Sequence, residues 1–177
     1  YGIFCHGNKL QKTDISDQKV NAYRQRREPI YRQPIHSYVP LFFNPRNPML
    51  YRLKSLDLII LAIKPQVIDT PYSIVSKGNA ASYNTRFLKA NNCENMLNWE
   101  QVYSSSWNGQ QEIKQCVMSE LLVPNHIPKQ QIHSIICPNE TMYGKSAAIS
   151  FYQDVPSVCK PDYFFYTPES KNQRYKY

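Results

Sequence analysis

Residues 38–51 read Tyr-Val-Pro-Leu-Phe-Phe-Asn-Pro-Arg-Asn-Pro-Met-Leu-Tyr, and no other span limits the fold as tightly. Val39, Leu41 and Phe43 alternate with Pro40 and Phe42, which predicts a short strand at the edge of a core. Three prolines in the nine positions from Pro40 to Pro48 then exclude a helix or a central strand across 44–48, because proline has no N–H to give. What remains is a stiff, extended loop that holds Arg46 and Met49 in fixed directions. Two readings fit. The span is an ordinary strand and turn, or it is the wall of a nucleotide pocket, where a guanidinium on a stiff loop clamps a phosphate or carboxylate. Spacing alone leaves both open.

The rest of the chain narrows the class. Its 177 residues suit a single domain, 1–177, with enough chain to bury a core. A hydrophobic content of 42% against 19% charged belongs to a folded protein, not a disordered one. The net charge of +8 points to a polyanionic partner, nucleic acid before an anionic membrane. No basic amphipathic helix supports the membrane. Fourteen tyrosines suit a base-stacking surface, and equally suit half-buried strands. Five cysteines, at 5, 93, 116, 137 and 159, are odd in number and form no CxxC. They make neither a disulfide framework nor a zinc site and read as reduced thiols of a cytoplasmic protein. The four histidines lack metal-ligand spacing, so no metal is expected. The apolar run at 56–63 is far shorter than the ~20 residues that cross a bilayer, and it reads as a strand; no secretory signal is seen.

Along the chain, residues 1–4 read as the end of a helix with Gly2 near its C-cap. Residues 14–27 predict a helix capped by Asp14 or Ser16 and ended by Pro29. Arg24, Arg26, Arg27 and Arg32 form the densest basic patch. A helical turn is expected at 51–53, strands at 58–63 and 72–75, a turn at 78–81 and a short element from 86. Residues 91–98 read as loop or helix entry. A short helix follows at 98–102, capped by Asn98. After it come a polar turn at 104–109 around Trp107 and a helix at 111–117. Strands are expected at 120–123 and 132–136, separated by a turn at 124–128. The tail from 140 reads as an extension of no assigned role. Strands outnumber helices without regular alternation, which gives an α+β class. Glu120 stands at the head of an apolar strand. A carboxylate there sits at a sheet rim or is buried with a partner.

Four segments, in order, resemble the DarT family of DNA ADP-ribosyltransferase toxins. They are residues 38–51, Gly78-Asn79-Ala80-Ala81, Leu97-Asn98-Trp99 with Trp107, and Ser119-Glu120-Leu121-Leu122-Val123-Pro124. The likeness runs from about Gly2 to about Asn139. It implies an ADP-ribosyltransferase-like fold of two packed, mostly antiparallel sheets with flanking helices. It also implies NAD as co-substrate, a base in single-stranded DNA as acceptor, and a bacterial, cytoplasmic toxin neutralised by a macrodomain antitoxin. By this resemblance Glu120 is the catalytic carboxylate and Arg24 the essential arginine, with Arg27 in reserve. Arg46, Met49 and Asn79 line the NAD pocket. Tyr103 and Trp107 lie in the loop that reads the acceptor base, and Arg26 and Arg32 hold the strand. Trp99 is expected in the core. Relatives carry a further strand whose His and Thr serve the NAD site. Its counterpart is expected ahead of Tyr1 and is missing from these residues. Two competing readings remain: a non-catalytic module that binds single-stranded nucleic acid, and the same transfer made to RNA or protein.

Overall fold

The computed structural model describes residues 2–8, 22–149 and 154–165. In chain order its strands are β1 (Gly2–Phe4), β2 (Tyr38–Phe42), β3 (Ile60–Ile63), β4 (Ile74–Ser76), β5 (Phe87–Lys89), β6 (Glu120–Pro124), β7 (His126–Pro128), β8 (Ile132–Cys137) and β9 (Ser157–Cys159). The helices are α1 (Pro48–Arg52), α2 (Trp99–Val102), α3 (Gln111–Val117) and α4 (Glu140–Ala147), joined by short 3-10 turns. These elements fall into two compact units, one drawn from 1–44 and 64–131, the other from 45–63 and 132–177.

The first unit is built on an antiparallel sheet of order β2-β6-β4-β5. β6 lies inside it, and Leu121, Leu122 and Val123 are all buried, as a continuous apolar run in a central strand requires. β2 ends the sheet, so Pro40 withholds no ladder bond that a neighbour needs. Ile35, Tyr38, Ile74, Ala80, Phe87 and Leu122 form the core. β1 pairs with β7 in a separate two-stranded sheet. This corrects two expectations. Residues 2–4 are a strand rather than a helix end, and 126–128 are strand rather than turn. Gly2 is needed for close approach, not for capping: a Cβ there would sit 2.3 Å from the carbonyl oxygen of Ile127. Asn125, with φ of +63°, lies between β6 and β7.

Most of the helix expected at 14–27 lies outside the described residues. Residues 22–24 are helical, and the helix ends there, short of Arg27. The backbone of 26–35 doubles back instead. Ile35 N–H donates to the Arg26 carbonyl at 3.0 Å and Glu28 N–H to the Gln33 carbonyl at 2.9 Å.

In the second unit β8 pairs antiparallel with β3 and parallel with β9. α4 falls between β8 and β9 in the chain, where a parallel pair needs a crossover. Its N-cap Asn139 accepts from Met142 N–H at 2.9 Å, and Met142 joins Ile132, Ile135, Cys137 and Val155 in a second core. The unassigned tail therefore supplies a helix and a strand. α1 begins at Pro48, three residues before the expected turn. Asn47 caps it, its side chain accepting from Met49 and Leu50 N–H at 3.0 Å each, and proline suits the first helical position because no bond is asked of its nitrogen. Met49 is thus on a helix, not on an extended loop. The described residues hold three sheets rather than two, antiparallel except for β8 and β9.

Candidate active site

Glu120 opens β6, in register with Phe42 of β2 and Ser76 of β4. It is fully buried. Such a carboxylate is tolerable only with partners, and it has two. Oε2 accepts from Arg24 Nη2 at 2.7 Å, a buried ion pair. Oε1 accepts from the Ala80 N–H at 2.9 Å. Arg24 comes from the end of the helical turn at 22–24 and is itself buried. Its Nε has no partner among the described residues. A guanidinium with one edge committed to the carboxylate and a second donor unspent is suited to an anionic ligand.

The Ala80 amide is placed by the turn after β4. Gly78 has φ of +122°, a backbone that side chains rarely adopt. Ser76 Oγ donates to the Gly78 carbonyl at 2.7 Å. Asn79 closes the turn on itself: its Oδ1 accepts from Ala81 N–H at 2.9 Å, and its carbonyl accepts from Thr85 Oγ1 at 2.6 Å. Gln115 of α3 packs beside Gly78 and donates to Thr85 Oγ1 at 3.4 Å. Arg26 clamps the outside of the turn. Its Nη2 donates to the carbonyls of Ala80, at 3.0 Å, and of Ser82, while Nη1 reaches the Tyr83 carbonyl at 3.4 Å. Its guanidinium lies 5.0 Å from the Tyr83 ring centre.

Four of the residues singled out from the sequence therefore meet: Glu120 and Arg24 directly, Asn79 and Arg26 through the turn that carries Ala80. The arginine patch is not a free cationic surface. Arg27 donates to the Arg32 carbonyl at 2.7 Å; both stand exposed, away from the turn and the carboxylate, and Arg32 has φ of +57°. Arg46 and Met49 belong to the second unit. Arg46 Nη1 donates to the Asp162 carbonyl at 2.7 Å and lies 4.5 Å from the Phe165 ring centre; Met49 is exposed on α1. In the first unit Tyr103 is exposed and stacks on Trp99 at 5.9 Å, with Trp107 half-buried beyond it. Trp99 is half-buried rather than in the core, edge-on to Phe43 at 5.3 Å. The buried Asn44 ties this segment to the end of β2, donating to the carbonyls of Val102 at 2.9 Å and Ser104 at 3.3 Å. Sequence reasoning missed the Ala80 amide, Gln115 and Asn44. Gly78 was the available sign for the first. The other two act on backbone and on a turn, which leaves no pattern. Among the described residues no group of three or more His, Cys, Asp or Glu is placed to hold a metal ion, and no helix is long and apolar enough to cross a membrane.

The family described as "ssDNA thymidine ADP-ribosyltransferase, DarT" matches residues 1–165. The chain belongs to the DarT family. A DNA ADP-ribosyl transferase–DNA ADP-ribosyl glycohydrolase fusion protein of Thermosipho africanus is 28% identical over 176 residues, covering 93% of this chain and 45% of that protein. A DNA ADP-ribosyl transferase of Thermus aquaticus is 27% identical over 130 residues, covering 67% of this chain and 57% of that one. The chain thus spans about half the length of the curated relatives it matches. Among solved structures, Thermus sp. 2.9 DarT in complex with ADP-ribosylated ssDNA superposes with a TM-score of 0.79 at 18% identity, covering 93% of this chain and 87% of that one. Thermosipho africanus DarTG in complex with ADP-ribose gives 0.73 at 22% identity, covering 92% and 46%. The fold is that of DarT, an ADP-ribosyltransferase-like α+β fold, as the four segments implied.

Proposed function

We propose that this chain transfers ADP-ribose from NAD to thymidine in single-stranded DNA. The observation that carries the reading is the buried Glu120 at the head of β6, held by Arg24 and the Ala80 amide in a DarT fold. Membership of a family so described supports it, as do Thermus sp. 2.9 DarT structures solved with NAD+ and with ADP-ribosylated ssDNA. In the transfer the bond between nicotinamide and ribose breaks, nicotinamide leaves with the electron pair, and the ribose carbon passes through an oxocarbenium-like state. Glu120 faces that cation and accepts a hydrogen bond from a ribose hydroxyl, an electrostatic aid. The acceptor base attacks, and its proton passes to the carboxylate. Arg24 holds the pyrophosphate with the donors that Glu120 leaves over, with Arg27 in reserve. Asn79 lines the NAD site, Tyr103 and Trp107 read the acceptor, and Arg32 meets the strand, while Arg26 holds the turn that presents the Ala80 amide. Residues 1–177 form a single transferase domain of a bacterial toxin that works in the cytoplasm, where DNA is within reach. Its counterpart is a macrodomain antitoxin that removes the ADP-ribose, a role suggested by the glycohydrolase fused to the Thermosipho relative.

The test is label transfer from NAD to a thymidine-containing single-stranded oligonucleotide. Wild type should label the DNA, and Glu120→Gln, which keeps the shape of the side chain, should lose at least a hundred-fold in rate, about 3 kcal/mol of transition-state stabilisation. Binding of DNA without transfer by the wild type makes the chain a binding module. Label found on RNA instead moves the acceptor, and undiminished transfer by the variant removes Glu120 from its role.

A further inference from the structure

At the far end of β6 from Glu120 lies a cleft of about 350 Å³, lined by Tyr31, Gln33, Ser37, Tyr38, Tyr72, Pro124 and Asn125. That volume is within the range of small-ligand sites. Tyr31 and Tyr72 meet edge to face at 5.3 Å. Tyr72 is 66% exposed, so its ring is not held there to fill a core. Its backbone makes the point more strongly. Thr70, Pro71, Tyr72 and Ser73 form a turn closed by Ser73 N–H on the Thr70 carbonyl at 3.1 Å. Tyr72 takes the third place with φ of +67°, the place where glycine or asparagine is expected. An exposed aromatic in that costly conformation points to a role for its ring.

The lining segment 31–38 is tied down by a buried carboxylate. Glu28, buried beneath it, accepts from the N–H groups of Ile30, Tyr31 and Gln33 at 2.6, 2.9 and 2.7 Å and from the Tyr38 hydroxyl at 3.1 Å. The non-glycine residues with positive φ among those described are Arg32, Tyr72 and Asn125. Two line the cleft, and the third stands exposed between the lining residues Tyr31 and Gln33. Tyrosine rings together with the side-chain amides of Gln33 and Asn125 in one lining match an unpaired nucleobase.

We propose that this cleft is a second nucleotide subsite, which takes one unpaired base of the substrate strand outside the nucleotide at Glu120. The ligand follows from the transferase reading above. Four residues of β6 separate the two places, roughly 13 Å along the strand. At ~3.4 Å per stacked nucleotide that is on the order of four nucleotides, and fewer if the strand is extended. The other nucleobase in the reaction is the adenine of NAD, and the experiment separates it from DNA.

The variants are Tyr72→Ala, Tyr72→Phe and Tyr72→Gly in the full chain. Glycine removes the ring and relieves the backbone, so misfolding does not account for a loss it shares with alanine. Two readouts are taken: anisotropy of a labelled thymidine-containing 12-mer, and transfer kinetics on the 12-mer and on a trimer centred on thymidine. Tyr72→Ala and Tyr72→Gly should each raise Kd and KM for the 12-mer about ten-fold, the usual worth of one stacked base. The trimer, kcat and the KM for NAD should stay as in wild type, and Tyr72→Phe should restore 12-mer affinity. Unchanged 12-mer binding in the glycine variant overturns the subsite, and so does a rise in the KM for NAD in place of the KM for DNA. A wild type that binds the 12-mer without transferring label refutes the proposed activity while anisotropy still decides the cleft. One that does not bind the 12-mer refutes both.

Discussion

Arg26 commits two guanidinium nitrogens to three backbone carbonyls and one face to the Tyr83 ring. All three carbonyls belong to the turn that presents the Ala80 amide to Glu120. Its position therefore matters more than its charge, since a planar fork that bonds several acceptors at once has no equivalent in lysine. We expect Arg26→Lys to lower kcat on the order of ten-fold, the cost of misplacing a catalytic group by a fraction of its hydrogen-bond length, while the KM for DNA holds. The alternative role from the sequence, a contact to the strand, gives the reverse pattern: a higher KM for DNA, intact kcat, and a salt slope reduced by about 0.7 per lost phosphate contact. Steady-state kinetics at two salt concentrations separates the two.

The segment 28–38 shows how one buried carboxylate can organise an irregular element. Glu28 saturates three backbone N–H groups and holds the Tyr38 hydroxyl. Burial, and then the charge of Glu28, push the Tyr38 phenol up beyond its ordinary range. The folded state therefore favours the protonated phenol. Its contribution to stability is fully present below the unfolded value of about 10 and is lost as pH climbs from there toward the folded value. Tyr38→Phe should cost about 1.5–3 kcal/mol at pH 7, as for a hydrogen bond to a charged group. The gap to wild type should narrow above pH 10; urea denaturation at pH 7, 9 and 10.5 measures it, and a gap constant with pH contradicts the assignment. None of this was visible in the sequence, where Glu28 is one acid beside a proline. What was legible had periodic or punctuating residues. α3 and β6 stand where expected, because an apolar run after a polar helix is hard to misplace. The Asn98 cap was legible too, its side chain accepting from Gln101 N–H at 3.2 Å. Pro48 misled because the same residue that blocks a helix interior opens a helix behind an Asn cap. Gly2 misled because close backbone approach and helix capping ask for the same residue. Within the site, Glu120 was legible as the acid at the head of a strand. Its partner amide was not, because a backbone donor carries no side-chain signature.

Under the proposed function, charge decides how the chain meets DNA. Twenty-one basic residues outweigh thirteen acidic ones, for a net +8. Arg24 is paired with the buried Glu120, while Arg26, Arg27 and Arg46 donate to neutral carbonyls and keep their charge, so the field at the surface comes from the exposed lysines and arginines such as Arg32. Cations of that kind hold a single strand by displacing its counterions, with a slope of about −0.7 in log affinity against log salt for each phosphate met. Four such contacts give a slope near −3 and a loss on the order of fifty-fold between 50 and 200 mM salt, read by anisotropy with an oligonucleotide that fills both the Glu120 site and the Tyr72 cleft. Arg32→Ala should flatten the slope by about 0.7, and Arg26→Lys should leave it unchanged. A response flat in salt for the wild type contradicts the electrostatic account at its root: affinity would then come from stacked bases alone, and the excess of positive charge would need another partner.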